Sequence, residues 1–324
     1  MSKTSLLNIS NLTISFPYGK SFLQVVRGVD LEVAQGEIVG ILGESGSGKT
    51  VTASSIIGLT RDEAGRIDSG EILFKGKNIV TMSAKDLQRI RGKEIAYIFQ
   101  DPVGSLNPYR KAGKQIEEAL KVHHLPCSKQ LVLQIMQDVG LDKAETIYDM
   151  FPSQLSGGQC QRILIASAIA CKPDLLIADE PISAIDASLQ KKVLELLTVI
   201  NKKYRTAIII ITHDFAVVKY ICDRVVVMYG GLVMETGSVR DVLDNPLHPY
   251  TRELLKCVNS LNNNDERLYT LEGRALGPSE YAGGCSFYTR CINRTRDCQN
   301  EVPHLLERPT GRQVRCHNIG GEPT

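Results

Sequence analysis

The segment Gly43-Glu44-Ser45-Gly46-Ser47-Gly48-Lys49-Thr50 carries the strongest chemical signal in the chain. It fits the spacing G-x-x-x-x-G-K-[ST] of a phosphate-binding loop. Gly43, Gly46 and Gly48 let successive backbone N–H groups, those of Ser45 and Ser47 among them, turn toward phosphate oxygens. A helix after the loop would add the positive end of its dipole. Lys49 is expected to reach the outer phosphates of a nucleoside triphosphate, and the Thr50 hydroxyl to bind Mg²⁺. A second element is Leu175-Leu176-Ile177-Ala178-Asp179-Glu180, an apolar run ending in two acids. Asp179 suits Mg²⁺, and Glu180 suits a general base that aligns an attacking water. A third is a set of four cysteines, Cys285, Cys291, Cys298 and Cys316, out of nine in the chain.

These groups need elements to hold them. Glu37–Leu42 reads as a compact apolar strand that delivers the loop, and Thr50–Leu59 as the helix after it. Leu6–Ile14 and Gly28–Val33 read as strands of an antiparallel region. Gln115–Val122 and Lys129–Val139 have helical spacing and look like a helical insertion, within a helical subdomain of about 101–170. Then come a helix from Ser156 to Ala170, a strand Asp174–Ala178, a helix Ser188–Tyr204, and strands Ala207–Thr212 and Val225–Met228. Strands alternating with helices predict an α/β fold with a parallel sheet. The text after about Cys257 is polar, and 262–265 reads as a linker.

Composition excludes several classes. The chain has 324 residues and a net charge of +2, too near neutral for a nucleic-acid binder that relies on bulk positive charge. No apolar run approaches the length that spans a bilayer. Met1-Ser2-Lys3-Thr4 lacks a signal-peptide pattern, so the cysteines are read in a reducing compartment.

With Leu155-Ser156-Gly157-Gly158-Gln159 between the two phosphate elements, the chain resembles the nucleotide-binding subunits of ABC transporters. Gln100 matches that family's Q-loop, Ser183-Ala184-Ile185-Asp186 its D-loop, and His213 its switch histidine. Phe16 stands where the family stacks an aromatic ring on adenine, with Tyr18 as second candidate. The resemblance covers roughly 6–257 and implies a P-loop cassette with a parallel sheet core, an antiparallel β subdomain and a helical subdomain. It also implies two cassettes closing head-to-tail around two ATP molecules, each site using the phosphate loop of one chain and the signature segment, Ser156, Gly157, Gly158 and Gln159, of the other, with Asp186 also among the nucleotide-site residues. Glu180, His213 and Gln100 would be the catalytic set, with Thr50, Gln100 and Asp179 around Mg²⁺. Ile182, Ile185 and Cys160 depart from the family's commonest text, but none removes a group with a chemical role.

A narrower resemblance is to importers of the oligopeptide/dipeptide/nickel group. It rests on Phe99-Gln100-Asp101-Pro102, Ser105-Leu106-Asn107-Pro108, His248-Pro249-Tyr250-Thr251 and the spacing Cys285-x5-Cys291-x6-Cys298-x17-Cys316. It divides the chain into a cassette, 1–257, and a cysteine-bearing extension, 258–324. Four thiolates can hold a [4Fe–4S] cluster or zinc, or remain free or paired as disulfides. Arg290, Arg294 and Arg296 nearby favour an anionic cluster. The expected partners are a second related ATPase, two transmembrane permease subunits and an extracytoplasmic substrate-binding protein, at the cytoplasmic face of the membrane and without nucleic acid. The expected cargo is di- or oligopeptide, with nickel or a metal chelate as the alternative. A soluble ABC ATPase of repair or translation is disfavoured, because the chain has one cassette and a short insertion. A regulator whose working site is the cysteine tail is the third class.

Overall fold

The structure is a computed structural model that describes residues 5–183, 187–262, 269–281, 283–308 and 311–319. Its contacts divide the chain into two compact units.

The unit formed by 5–33, 39–81 and 212–319 contains the phosphate loop and the cysteines. Its antiparallel sheet has the order Ser21–Ala34, Ser5–Tyr18, Arg66–Phe74, Lys77–Asn78. The first two strands run well beyond the apolar cores that mark them in sequence. The strand Arg66–Phe74 is mostly exposed, so it shows little apolar alternation. Elsewhere in this unit Val39–Leu42 pairs parallel with Arg224–Val227, and Arg224–Tyr229 pairs antiparallel with Leu232–Ser238. Gln313–Val314, near the C-terminal end of the described residues, continues this ladder on Thr236 and Glu235. Beside that ladder, Arg312 is ion-paired with Glu235, at 5% and 0% side-chain exposure. Glu235 also accepts the N–H groups of Leu247 and His248, so its buried charge is fully met.

The helix after the loop is shorter than its sequence suggests. It spans Lys49–Ile56, and a separate 3₁₀ turn covers Leu59–Arg61. Between them Gly58 takes φ +71°, and Ser55 Oγ turns back to the Thr52 carbonyl at 2.6 Å. The helix Pro249–Asn262 carries on through the first residue of the expected linker.

The other unit comprises, among described residues, 34–38 and 82–211. Leu175–Asp179 pairs parallel with both Ile95–Ile98 and Ala207–Thr212. Its central strands are buried along their length, so they read as unbroken Ile/Leu runs rather than alternating ones. Ala112–Val122, Lys129–Asp138, Ala144–Tyr148 and Gly157–Ile169 form the helical part, around Ile116, Val132, Met136 and Ile163. Glu117 is buried there, and accepts from Lys121 at 2.6 Å, Lys114 at 2.9 Å and the Tyr148 hydroxyl. Burial alone would raise its carboxyl, but these donors win and hold it at about 2.

Candidate functional site

In the first unit the loop is anchored from below. Gly43 has φ +156°, and a Cβ there would lie 2.2 Å from the Met228 carbonyl and 2.9 Å from Ser47 Oγ. Only glycine lets the chain pass this close to the strand Arg224–Tyr229. Gly231 donates its N–H to the Ser47 carbonyl at 3.1 Å. Lys49 is 7% exposed and folded over the loop, with Nζ donating to the Gly43 carbonyl at 2.7 Å and the Glu44 carbonyl at 2.8 Å. Ser47 Oγ is buried and has no hydrogen-bond partner among the described residues. An unsatisfied hydroxyl beside a caged ammonium at a helix N-terminus fits a phosphate oxygen. Thr50 is exposed at the same end.

Phe16 and Tyr18 lie at the end of the strand Ser5–Tyr18. The Phe16 ring edge occupies the space that a side chain at Gly65 would fill, whereas Tyr18 is 62% exposed. His213 follows directly on the strand Ala207–Thr212 and is exposed.

In the second unit the two acids end the strand Leu175–Asp179. Glu180 takes φ +45°, a left-handed conformation that is costly for a side-chain-bearing residue. Gln100 Nε2 donates to Glu180 Oε2 at 2.9 Å, so two of the three expected catalytic residues meet. Tyr97 donates its hydroxyl to Asp179 Oδ2 at 2.9 Å. Sequence reasoning missed Tyr97; its signal was the one polar tip in the strand Ile95–Ile98.

Ser156 is the N-cap of the helix Gly157–Ile169. Its Oγ accepts the Gln159 N–H at 3.3 Å, and Gln159 Oε1 accepts the Ser156 N–H at 2.9 Å. Ser156 and Gly157 are exposed, while Gly158 and Gln159 are half-buried. Asp186 lies outside the described residues.

The four extension cysteines are free. Cys285 donates its N–H to the Cys298 carbonyl at 2.8 Å. Gly284 permits this approach, since a Cβ there would be 2.5 Å from that same oxygen. Burial pushes the Cys285 thiol up to about 12, and the nearness of Cys298, Cys316 and Cys291 adds to this. Burial likewise takes Cys316 to about 11 and raises Cys291. Cys285 and Cys298 are therefore neighbours along the backbone. Yet among the described residues no group of three or more His, Cys, Asp or Glu is arranged to hold a metal ion. Arg290 does not serve the cysteines as expected; its guanidinium is paired with Glu44. The sequence segment His248-Pro249-Tyr250 proves to be a buried prop, with Tyr250 packed on Tyr229 and Phe287 and its hydroxyl accepting the Glu44 N–H at 3.0 Å.

Comparison with known proteins agrees with this geometry. Residues 26–183 match the ABC transporter family, and 234–298 match the oligopeptide/dipeptide transporter C-terminal region. The oligopeptide transport ATP-binding protein AppD of Bacillus subtilis is 40% identical over 316 residues, 97% of this chain and 96% of the relative. The dipeptide transport ATP-binding protein DppD of Escherichia coli is 40% identical over 326 residues, 99% of both chains. A bacterial ABC transporter cassette solved as a dimer superposes with a TM-score of 0.63 at 26% identity, covering 72% of this chain and 99% of that one. The chain therefore belongs to the ATP-hydrolysing, ATP-binding subunits of ABC transporters, in their oligopeptide/dipeptide branch.

Proposed function

We propose that this chain binds ATP with Mg²⁺, hydrolyses it, and so energises a membrane importer of di- and oligopeptides. The observation that carries the nucleotide step is the phosphate loop itself, with Lys49 caged over it and Ser47 Oγ left for a phosphate. Gly43, Ser45, Gly46, Ser47, Gly48 and Lys49 would hold the phosphates, and Thr50, Gln100 and Asp179 are the residues that would serve Mg²⁺. Mg²⁺, when bound, neutralises charge on the outer phosphates. Glu180 accepts the proton of the attacking water, Gln100 orients Glu180, and His213 senses the γ-phosphate. Phe16 stacks on the adenine.

The peptide cargo is supported by the relatives' names and by the match over 234–298. The test is uptake in cells lacking this chain. Labelled dipeptide uptake is expected to fall to background and return with the wild-type gene. Loss of nickel uptake with dipeptide uptake intact would assign the metal-chelate cargo instead.

The partner set follows from the same reading. A second related ATPase faces the exposed end of the helix Gly157–Ile169 and receives Ser156, Gly157, Gly158, Gln159 and Asp186 at its ATP. Two permease subunits dock on the helical part. A groove of about 680 Å³ there is lined by Tyr109, Arg110 and Phe151, and Tyr109 is 89% exposed. Among the described residues no helix is long and apolar enough to cross a membrane. The same reading has the chain attach through those subunits, at the cytoplasmic face. A substrate-binding protein delivers peptide from the opposite side.

The domain plan is a cassette, 1–257, with an extension, 258–324, built onto it. Cys285, Cys291, Cys298 and Cys316 are the ligands we assign to a [4Fe–4S] cluster, with zinc as the alternative. Four soft donors at this spacing in the sequence support this reading, while among the described residues no group of three or more His, Cys, Asp or Glu is arranged to hold a metal ion. Protein purified without oxygen is expected to be brown, with about four iron atoms per chain. Cys285→Ser should bleach it. A colourless, iron-free preparation would refute the cluster, and stoichiometric zinc would replace it.

A further inference from the structure

Glu44 stands between Gly43 and Ser45 in the phosphate loop, and the cysteine-bearing extension holds its side chain. Arg290, next to Cys291, is 5% exposed. Its Nη1 donates to Glu44 Oε2 at 2.8 Å and its Nη2 to Glu44 Oε1 at 3.2 Å, a two-pronged grip. The same guanidinium donates to the Tyr229 hydroxyl at 3.3 Å and to the Glu272 carbonyl at 3.2 Å. Tyr250 meanwhile accepts the Glu44 N–H. Glu44 is thus fixed by its backbone and by its carboxylate.

A carboxylate in a loop that wraps a polyanion is an electrostatic liability. Left unpaired, it repels the phosphates and competes for the loop's donors. A buried guanidinium removes both effects, because it neutralises the charge and fixes its direction. We propose that Arg290 is a positioning residue for the nucleotide: by gripping Glu44 it offsets that carboxylate, leaves the Lys49 charge to the phosphates and keeps the loop formed, so the extension sets ATP affinity. The proposal rests on the reading of this loop as the ATP site.

The test uses the full chain and binding of the fluorescent analogue mant-ATP with Mg²⁺, for wild type, Arg290→Met, Glu44→Gln and the double variant. Arg290→Met is expected to weaken binding about tenfold, the scale of one uncompensated charge near the ligand. The double variant is expected within about twofold of Glu44→Gln, because it removes the charge that Arg290 offsets. The bonds of Arg290 to Tyr229 and Glu272 stay broken in that double variant, so a merely structural Arg290 predicts no rescue. A double variant as weak as Arg290→Met, or Arg290→Met binding like wild type, overturns the proposal. If Arg290→Met gives no folded protein, Arg290→Gln takes its place; it removes the charge but keeps a hydrogen-bonding group, is expected to lose binding about tenfold, and binding like wild type overturns the proposal. Failure of the wild type to bind mant-ATP at all would instead sink the ATP reading of the loop.

Discussion

Glu180→Gln is expected to bind ATP as the wild type does and to turn it over at least about 100-fold more slowly, the scale of a lost general base. The amide has nearly the shape of the carboxylate and can still accept the Gln100 Nε2 hydrogen bond seen at 2.9 Å. What it loses is the capacity to take a proton from water. Because ATP then stays bound, head-to-tail pairs should accumulate and elute as dimers in the presence of Mg²⁺ and ATP. A single-turnover assay with gel filtration reads both effects. Hydrolysis within about threefold of wild type would remove Glu180 from the role of base. The left-handed backbone at Glu180 strengthens the expectation, since strain of this kind persists where surrounding structure holds a residue for use.

Lys49→Ala acts at the earlier step. The ammonium is held at the mouth of the loop by the Gly43 and Glu44 carbonyls. Removing it deletes the side chain's positive charge from the loop and leaves two carbonyls without their donor. The loss is expected to be about 3 kcal/mol, or roughly 100-fold in ATP affinity, as for charge-assisted hydrogen bonds to a phosphate. Calorimetric titration with Mg–ATP measures it. Affinity within about threefold of wild type would show that Lys49 does not reach the phosphates. The two substitutions separate the steps, since Glu180→Gln spares binding and Lys49→Ala weakens it.

Much of the fold was legible because its core strands are fully buried. Ala207–Thr212 and the strand ending in Asp179 stand out as apolar runs, and the glycines of the loop follow such a run directly. The helix beginning at Gly157 was legible from Ser156 and Gln159, which form a capping box. The strand Arg66–Phe74 was not, because five of its nine positions are exposed and its pairing with Leu7–Ser15 is set by tertiary contact. The helix end at Ile56 depended on Gly58 and on serines bonding backward, which apolar periodicity does not report. Of the candidate site, the residue types and their order could be read, but the Gln100–Glu180 hydrogen bond could not. The Tyr97–Asp179 bond and the Arg290–Glu44 grip join residues 82 and 246 positions apart, and no local pattern encodes either. Arg290 was instead assigned to the nearby cysteines, because sequence proximity was the only available guide.

The central claim is that ATP turnover at Glu180 drives peptide movement. It is tested most directly by reconstituting the whole importer in vesicles, with Mg–ATP on the side of this chain, and measuring labelled dipeptide uptake and phosphate release together. The account predicts that uptake and release rise together with wild-type protein and that both fall to background with Glu180→Gln. Dipeptide uptake at the wild-type rate by the Glu180→Gln importer, or ATP hydrolysis by wild type with no peptide moved, would contradict it.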